Sequence, residues 1–263
     1  RAFAIAPIED LKKVRLLSLC RQACAGSPPL NVNHDQRQFC HYRQSNRFGL
    51  EGNTGIGHVR YSTAGGSRPQ NAQPIVTRYA RGDLTIAHNG NLTNAQALRE
   101  QLVAEGALFQ TSSDSEVIVH LIARSRCETV EEQLEDALTR LEGAFSLAIS
   151  VGDTIYAAVD PRGYRPLVLG RKGDAHVVAS ETCALDIIAA EFVRDIRPGE
   201  VLKIRGPSVE SLRSLPAAPR VAPCIFELVY FARPDSNIWG VPVDRARRAF
   251  GQRLAREHPA RAD

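Results

Sequence analysis

The chain has 263 residues, of which 43% are hydrophobic and 24% are charged, and its formal net charge is +4. That length accommodates one large globular domain or two smaller ones with a buried core. The basic excess lies in the first 50 residues, so the body of the chain gives no reason to expect a nucleic-acid partner. No apolar run approaches the roughly 20 residues that span a bilayer, and the start lacks a signal-peptide pattern. We therefore expect no membrane partner and a cytoplasmic location.

Six cysteines in a chain of this length do not indicate a disulfide framework. Cys20 and Cys24 have a spacing found in metal sites, and His34, Cys40 and His41 lie nearby, which leaves a zinc site as one alternative. The sequence has no methionine and begins with arginine. This start predicts a fragment or a processed product.

Taken in chain order, the periodicity predicts two groups of strands with a helical group between them. Residues 8–24 have the apolar spacing of an amphipathic helix, and residues 24–46 are polar, which is typical of a loop or disorder. The helices are expected at 93–105, 113–124, 130–141 and 243–257, and the strands at 75–79, 84–87, 145–151, 154–159, 167–170, 176–179 and 201–204. Consecutive strands joined by tight turns pair antiparallel, so the order predicts an α+β layered fold.

Two segments have the form expected for the floor of a site. GIGHVRYST at 55–63 and AHNGN at 87–91 each resemble a short apolar strand that ends in a polar, glycine-containing turn. Such strand ends present backbone N–H groups and a few side chains to a substrate. Five further motifs are NAQP (71–74), TSSDSE (111–116), DPRGYRPL (160–167), ASETCALD (179–186) and CIFELVYFARPDS (224–236).

With these motifs in this order, residues 50–263 resemble the class II glutamine amidotransferases, and among them the amidophosphoribosyltransferase family. The resemblance implies the N-terminal-nucleophile hydrolase fold, a four-layer αββα sandwich of antiparallel sheets. It implies hydrolysis of glutamine and transfer of the ammonia to phosphoribosyl pyrophosphate, which gives 5-phosphoribosylamine in the first step of de novo purine biosynthesis. It also implies a homo-oligomer at full length.

Two other classes of function stay open at this point. Within the same enzyme class, the glutaminase domains of glucosamine-6-phosphate synthase and asparagine synthetase are the nearest alternatives. Outside this enzyme class, the alternative hypothesis is a non-catalytic glutamine-binding or assembly module.

The resemblance assigns roles to individual residues of the proposed glutamine pocket. Arg60 binds the α-carboxylate through two parallel N–H donors, which a lysine could not reproduce. Asp114 binds the α-ammonium, and Thr63 orients the substrate or the nucleophile. The side-chain N–H of Asn89 and the backbone N–H of Gly90 form the oxyanion hole.

Each assignment competes with a structural role for the same residue. An arginine in a strand is most often an ion-pair residue, Asp114 taken alone is an N-cap, and His-Asn-Gly is most simply a turn. His58 and His88 are expected to be structural. Cys183 and Cys224 are expected to be packed thiols.

The first 49 residues depart from the family pattern. The family nucleophile is an N-terminal Cys followed by Gly, with its own α-amino group as the base, and nothing in residues 1–49 resembles that start. Cys24 is the nearest match but lacks the adjacent glycine, and Cys20 and Cys40 are the other poor candidates. We therefore expect unrelated, disordered or mis-read sequence here, sheets with open edges and an inactive chain. A pseudoenzyme with a replaced N-terminus is the competing hypothesis.

The resemblance divides the chain into three parts and implies two cofactors. Residues 1–49 are the segment that does not match, residues 50–240 are the glutamine amidotransferase domain, and residues 241–263 form a helix that leads into a truncated phosphoribosyltransferase domain. Mg²⁺ is expected in that truncated domain. Some family members also carry a [4Fe-4S] cluster, for which Cys224 is a candidate ligand.

Overall fold

The structure is a computed structural model, and it describes residues 2–5, 36–41, 54–60, 69–212 and 215–259. The α-helices are α1 (Ala95–Ala104), α2 (Ser115–Arg124), α3 (Val130–Thr139), α4 (Thr182–Ile187) and α5 (Val243–Glu257). A 3₁₀ turn lies at Pro69–Asn71 and a π-helix at Glu227–Phe231. The strands are β1 (Ala2–Ile5), β2 (Gln36–His41), β3 (Gly55–Arg60), β4 (Ile75–Tyr79), β5 (Gly82–Leu92), β6 (Gly143–Val151), β7 (Thr154–Val159), β8 (Val168–Lys172), β9 (Ala175–Ala179), β10 (Glu191–Asp195), β11 (Val201–Arg205), β12 (Ser208–Ser211), β13 (Asn237–Ile238) and β14 (Val241–Pro242).

The strands form two six-stranded sheets and one short ladder. The first sheet has the order β10-β8-β9-β1-β3-β2, the second has the order β12-β11-β7-β6-β5-β4, and β13 pairs with β14. Every pairing is antiparallel. Tight turns join β4 to β5, β6 to β7 and β11 to β12 in the second sheet. Antiparallel neighbours can be connected directly in this way.

Helices α1, α2 and α3 cover one face of the second sheet. Leu102, Ile118 and Leu134 project from the three helices into a single buried cluster that also contains Ile86 and Phe145 from the sheet. Burying a large apolar side chain of this kind contributes about 1.5–3 kcal/mol. This cluster forms the core between the helices and the second sheet.

The opposite face of the second sheet packs against the first sheet. Ala87, Ala157 and Leu202 of the second sheet cluster with Ile56 and Leu169 of the first. Because successive side chains of a strand point to opposite faces, Ile86 faces the helices whereas Ala87 faces the other sheet. The two sheets therefore stack with an apolar core between them.

A short helix covers the outer face of the first sheet. A Cβ on Gly170 would lie 2.6 Å from Cδ2 of Leu185, so α4 packs closely on β8, on the side away from Leu169. Helices, sheet, sheet and helix form four layers. The predicted α+β sandwich of antiparallel sheets is confirmed.

Two strands come from the segment that was expected to be unrelated sequence. β1 lies inside the first sheet, where Ala2 pairs with Val59 of β3 and Ile5 with Val178 of β9, and β2 pairs with β3 along its other edge. The expectation of open edges is therefore wrong at this position, and so is the loop expected at Gln36–His41. Both strands form because they pair with strands that are distant in the sequence. Local composition does not reveal such pairing. The predicted helix at 8–24 lies outside the described residues.

No helix in the described ranges is long and apolar enough to cross a membrane.

Candidate functional site

The candidate site lies at the far end of β5. This strand pairs with β6 along its length to Leu92, but with β4 only as far as Ile86. From His88 onward, one edge of β5 therefore has no β4 beside it. The turn expected at His-Asn-Gly is wrong, because pairing with β6 holds Asn89 and Gly90 extended despite the low strand propensity of these residue types.

The backbone N–H of Gly90 points to this uncovered edge. Gly90 is opposite Phe145 of β6, whose N–H donates to Oδ2 of Asp160 at 3.3 Å and whose carbonyl accepts the Asp160 N–H at 2.8 Å. Phe145 thus directs both backbone groups away from β5, which makes Gly90 a non-hydrogen-bonded position of the ladder. Burial raises the pKa of the Asp160 carboxyl, and the N–H donors around it oppose that rise.

Side-chain oxygens accept hydrogen bonds from the two N–H groups that lie on either side of Gly90 along the same edge. The His88 N–H donates to Oε1 of Gln73 at 2.7 Å, and the Leu92 N–H donates to Oδ2 of Asp114 at 3.0 Å. Within the described residues, no hydrogen bond outside the ladder involves the Gly90 N–H. The edge therefore presents one uncommitted donor between two occupied ones.

Only glycine fits at position 90. A Cβ there would lie 2.0 Å from the carbonyl oxygen of Ala144 and 2.6 Å from Nε2 of His88. Both atoms are held in place by the fold, so neither can move away at low cost. The backbone at Gly90 can be approached closely because it carries no side chain.

Asn89 is a polar residue on the apolar side of the sheet. It is 4% exposed, and it lies on the same face of β5 as Ala87, which packs between the two sheets. Its Oδ1 atom is buried without a hydrogen-bond partner among the described residues. A buried polar atom without a partner costs free energy, and in a native structure it calls for an explanation, of which a functional site is one.

Two buried histidines connect this strand end to its surroundings. Nε2 of His58, on β3, lies 3.2 Å from the His88 carbonyl oxygen, and this contact joins the two sheets. Nε2 of His88 lies 3.3 Å from the Ala144 carbonyl oxygen, and its Nδ1 lies 3.0 Å from Oγ of Ser115. Since a carbonyl oxygen only accepts, Nε2 carries the proton in both rings. These contacts agree with the structural role expected for both histidines.

The NAQP motif forms a connection that the sequence did not predict. Gln73 accepts from the His88 N–H and donates from Nε2 to Oγ of Ser115 at 2.9 Å. Asn71 accepts the Ser112 N–H at 3.0 Å and donates to Oγ of Ser112 at 3.0 Å. The motif therefore joins the end of β5 to the segment before α2. The only local signal was two amides flanking an alanine before a proline.

Asp114 lies just before α2, but its side chain makes no capping hydrogen bond. The N-cap expectation is therefore wrong for its carboxylate, which accepts the Leu92 N–H instead. The other oxygen, Oδ1, has hydroxyl contacts at 3.4 Å with Ser113 and Ser115. The side chain is 12% exposed. A carboxylate at the end of β5 thus keeps one oxygen that is only weakly engaged.

The remaining predicted site residues are described only in part or not at all. Arg60 ends β3 and pairs with Gln36, so its backbone is placed beside β2, but its side chain lies outside the described part of the structure. Thr63, Cys20 and Cys24 lie outside the described residues. The side chains of Cys40 and of the other members of the alternative zinc site are not described either.

Cys127 lies near the start of β5, at the end opposite the candidate site. Nη2 of Arg81, in the turn before this strand, donates to the Cys127 carbonyl oxygen at 3.4 Å. Cys183 is buried, and burial raises the pKa of its thiol to about 12. Its packed state is as expected.

Cys224 does not complete a metal centre with its described neighbours. A [4Fe-4S] cluster needs four thiolate ligands, and the described residues contain no group of three or more His, Cys, Asp or Glu side chains suited to a metal ion. These residues alone therefore do not fit a cluster.

Comparison with known proteins gives the family. The family model described as a glutamine amidotransferase domain matches residues 58–186. The amidophosphoribosyltransferase of Bacillus subtilis is 46% identical over 215 residues, which cover 81% of this chain and 45% of that protein. The chain carries a glutamine amidotransferase domain of the amidophosphoribosyltransferase family. The amidophosphoribosyltransferase of Staphylococcus aureus strain N315 is also 46% identical, over 79% of this chain and 42% of the relative.

Solved structures agree with this family. The glutamine phosphoribosylpyrophosphate amidotransferase of B. subtilis, complexed with ADP and GMP, superposes with a TM-score of 0.81 and 35% identity over the whole chain and 59% of its own length. A structure described as the allosteric regulatory enzyme of purine biosynthesis gives a TM-score of 0.83 and 37% identity, again over the whole chain and 59% of its own. The N-terminal-nucleophile hydrolase fold is thereby confirmed. The chain spans less than half the length of the amidophosphoribosyltransferases that it matches in sequence.

Proposed function

We propose that this chain is the glutaminase part of an amidophosphoribosyltransferase. In this proposal the whole protein hydrolyses glutamine to glutamate and passes the ammonia to phosphoribosyl pyrophosphate, which gives 5-phosphoribosylamine in the first step of purine synthesis. The observation that supports it most is the uncommitted N–H of Gly90 at the uncovered edge of β5, between two N–H groups that side chains occupy. A donor of fixed direction suits an oxygen that gains negative charge during a reaction.

Gly90 and Asn89 would act on the oxygen of the glutamine side-chain amide. Attack on the amide carbon converts this carbonyl into a tetrahedral oxyanion, and donors that already point at it stabilise the charge without reorganisation. The Gly90 N–H lies at the strand edge and the Asn89 side chain on the adjoining face. In this proposal an oxygen at that corner accepts from the Gly90 N–H and from Nδ2 of Asn89.

Asp114 would bind the α-ammonium of glutamine. Its Oδ2 is fixed by the Leu92 N–H, and its Oδ1 retains acceptor capacity for a charged N–H donor. Because the side chain is 12% exposed, solvent screens the interaction less than at the surface. Arg60 for the α-carboxylate and Thr63 for orientation stay as the resemblance assigns them.

Hydrolysis also requires a cysteine nucleophile. Of the described cysteines, Cys127 lies near the other end of β5, and the raised pKa of Cys183 keeps it a thiol at neutral pH. The expectation that this chain binds glutamine without turnover is part of the proposal.

The two implied cofactors belong to the whole protein. Mg²⁺ is expected to serve the phosphoribosyltransferase domain, where it would neutralise the pyrophosphate. Cys224 would supply one thiolate of a [4Fe-4S] cluster, and the other ligands would come from residues outside the described ones. No step at the glutamine site depends on either group.

A calorimetric titration of the chain with glutamine tests the proposal. We expect saturable binding to one site, and Asp114→Asn is expected to weaken it about tenfold or more, because a hydrogen bond to a charged group is worth about 1.5–3 kcal/mol. Asp174→Asn is the matched control, since the Asp174 side chain is fully exposed on a turn of the first sheet. Absence of binding by the unmodified chain would refute the proposed site. Release of glutamate would refute the expected lack of turnover.

A further inference from the structure

The segment that precedes Asp114 is held by side chains. Residues 105–114 connect α1 to α2 and contain no helix or strand. The N–H groups of Gln110 and Thr111 donate to the two carboxylate oxygens of Glu116 at 2.8 and 2.7 Å. The Ser112 N–H donates to Asn71. A segment without regular structure is thus fixed at several consecutive residues.

Arg99 makes the most extensive of these contacts. This residue lies on α1, and its guanidinium donates from Nη1 to the Thr111 carbonyl at 3.0 Å and from Nη2 to the Ser113 carbonyl at 2.7 Å. The same group lies over the ring of Phe109, with 4.0 Å between Cζ and the ring centroid. One planar side chain therefore bridges three residues of the segment, which a lysine could not do.

The position of these contacts relates Arg99 to the candidate site. Ser113 immediately precedes Asp114, so the guanidinium fixes the peptide from which the carboxylate projects. An unfixed segment would lose conformational freedom when glutamine binds, and this ordering would weaken binding. Fixing it in advance removes that loss.

We propose that Arg99 is a positioning residue that orients Asp114 for the α-ammonium of glutamine. This inference rests on the proposed function, since it assumes that Asp114 binds the ammonium. Arg99 itself does not touch the substrate in this arrangement. It acts through the carbonyls of Thr111 and Ser113.

A double-mutant cycle on glutamine affinity tests the proposal. Arg99→Met keeps the apolar stem and removes the forked donors, and we expect it to weaken glutamine binding about tenfold in the otherwise unmodified chain. In an Asp114→Asn background the same change is expected to have less than a twofold effect, because the interaction that Arg99 supports is already lost. Arg171→Met is the matched control: Nε of Arg171 also donates to a backbone carbonyl, that of Gly173, but on an exposed turn of the first sheet.

A second measurement separates positioning from general stability. Amide hydrogen exchange at Thr111 and Ser113 should become faster in Arg99→Met, while exchange in β6 stays unchanged. If Arg99→Met does not fold, Arg99→Lys carries both measurements, since it keeps the charge but not the fork.

The outcomes distinguish this inference from the proposed function. Equal weakening by Arg99→Met in both backgrounds would show a structural role and overturn the inference. Unchanged glutamine affinity in Arg99→Met, with Asp114→Asn still weakening binding, would overturn the inference alone. Failure of the unmodified chain to bind glutamine would overturn the proposed function and this inference with it.

Discussion

The two halves of β5 satisfy their backbone groups in different ways. From Leu84 to Ile86 the strand has β4 on one edge and β6 on the other, and these residues are buried in the ordinary ladder of a sheet. From His88 to Leu92 only β6 remains, and Gln73, Asp114 and His58 take the place of the missing strand. The first half stabilises the fold. Among the described residues, the second half leaves the Gly90 N–H uncommitted.

The difference shows how a sheet can create a binding position. A neighbouring strand engages every second N–H of its partner, so a continuous ladder leaves no donor for a substrate. Separate side chains can engage selected donors and omit one. A single substitution can remove one of these side chains and with it a hydrogen bond to the strand. The second half of β5 should therefore be more sensitive to single substitutions of its neighbours than the first half.

Gly90→Ala, in the second half of β5, should reduce the free energy of unfolding more than the other substitutions below. The added Cβ would meet the Ala144 carbonyl oxygen at 2.0 Å, so β5 and β6 must separate locally. We expect a loss of about 3 kcal/mol in the free energy of unfolding, in line with overpacked buried sites. Urea denaturation followed by circular dichroism measures it.

Gly251→Ala is the control for that substitution. A Cβ at Gly251, within α5, meets nothing within 4 Å. Alanine there should stabilise the helix by up to about 1 kcal/mol, because glycine is a poor helix former. A Gly90→Ala protein as stable as the unmodified chain would contradict the packing described for the end of β5.

Gln73→Leu should have the next largest effect. It leaves the buried His88 N–H without an acceptor and removes the donor to Ser115, and an unsatisfied buried group costs about 1–3 kcal/mol. We expect a decrease of about 2 kcal/mol in unfolding free energy. Gln101→Leu is the control, because its bond to Glu105 lies on the exposed face of α1 and should contribute about 0.5 kcal/mol or less. Equal effects of the two changes would show that the side-chain network adds nothing to the strand end.

The smallest expected effect is the change in stability that His120 causes as the pH is varied. Burial lowers the pKa of His120, with Glu116 opposing the shift, and the His120 ring packs on Phe109 in the segment before Asp114. A histidine whose folded pKa lies below the unfolded value of about 6.5 binds its proton more readily in the unfolded chain. The contribution of His120 to stability is therefore present above that pH and is lost as the pH falls through it.

His120→Gln should make the stability of the chain less dependent on pH between about 7.5 and 5.5. Urea midpoints measured across this range test the expectation, with His258→Gln at the exposed end of α5 as the control. A steeper pH dependence in His120→Gln than in the unmodified chain would show that the sign is wrong.

Local patterns predicted the regular elements well where turn residues bound them. The strands at Ile75–Tyr79 and Thr154–Val159 and the helix at Val243–Glu257 have the predicted ends. The strand at Glu191–Asp195 was missed because its first residues are exposed and show no alternation. The π-helix at Glu227–Phe231 was missed because its apolar run has neither helix nor strand periodicity.

The sequence determined the family and the residue types of the proposed glutamine site. Glycine, asparagine and aspartate at positions 90, 89 and 114 are chemically suited to an oxyanion and an ammonium group, and seven ordered motifs specify the family. Only the tertiary structure decided where β4 ends beside β5, which N–H remains uncommitted, and how Gln73 and Arg99 hold the strand end and the segment before α2. These features depend on contacts between residues distant in the chain. Local propensity cannot encode them, because strand pairing and side-chain hydrogen bonding override it.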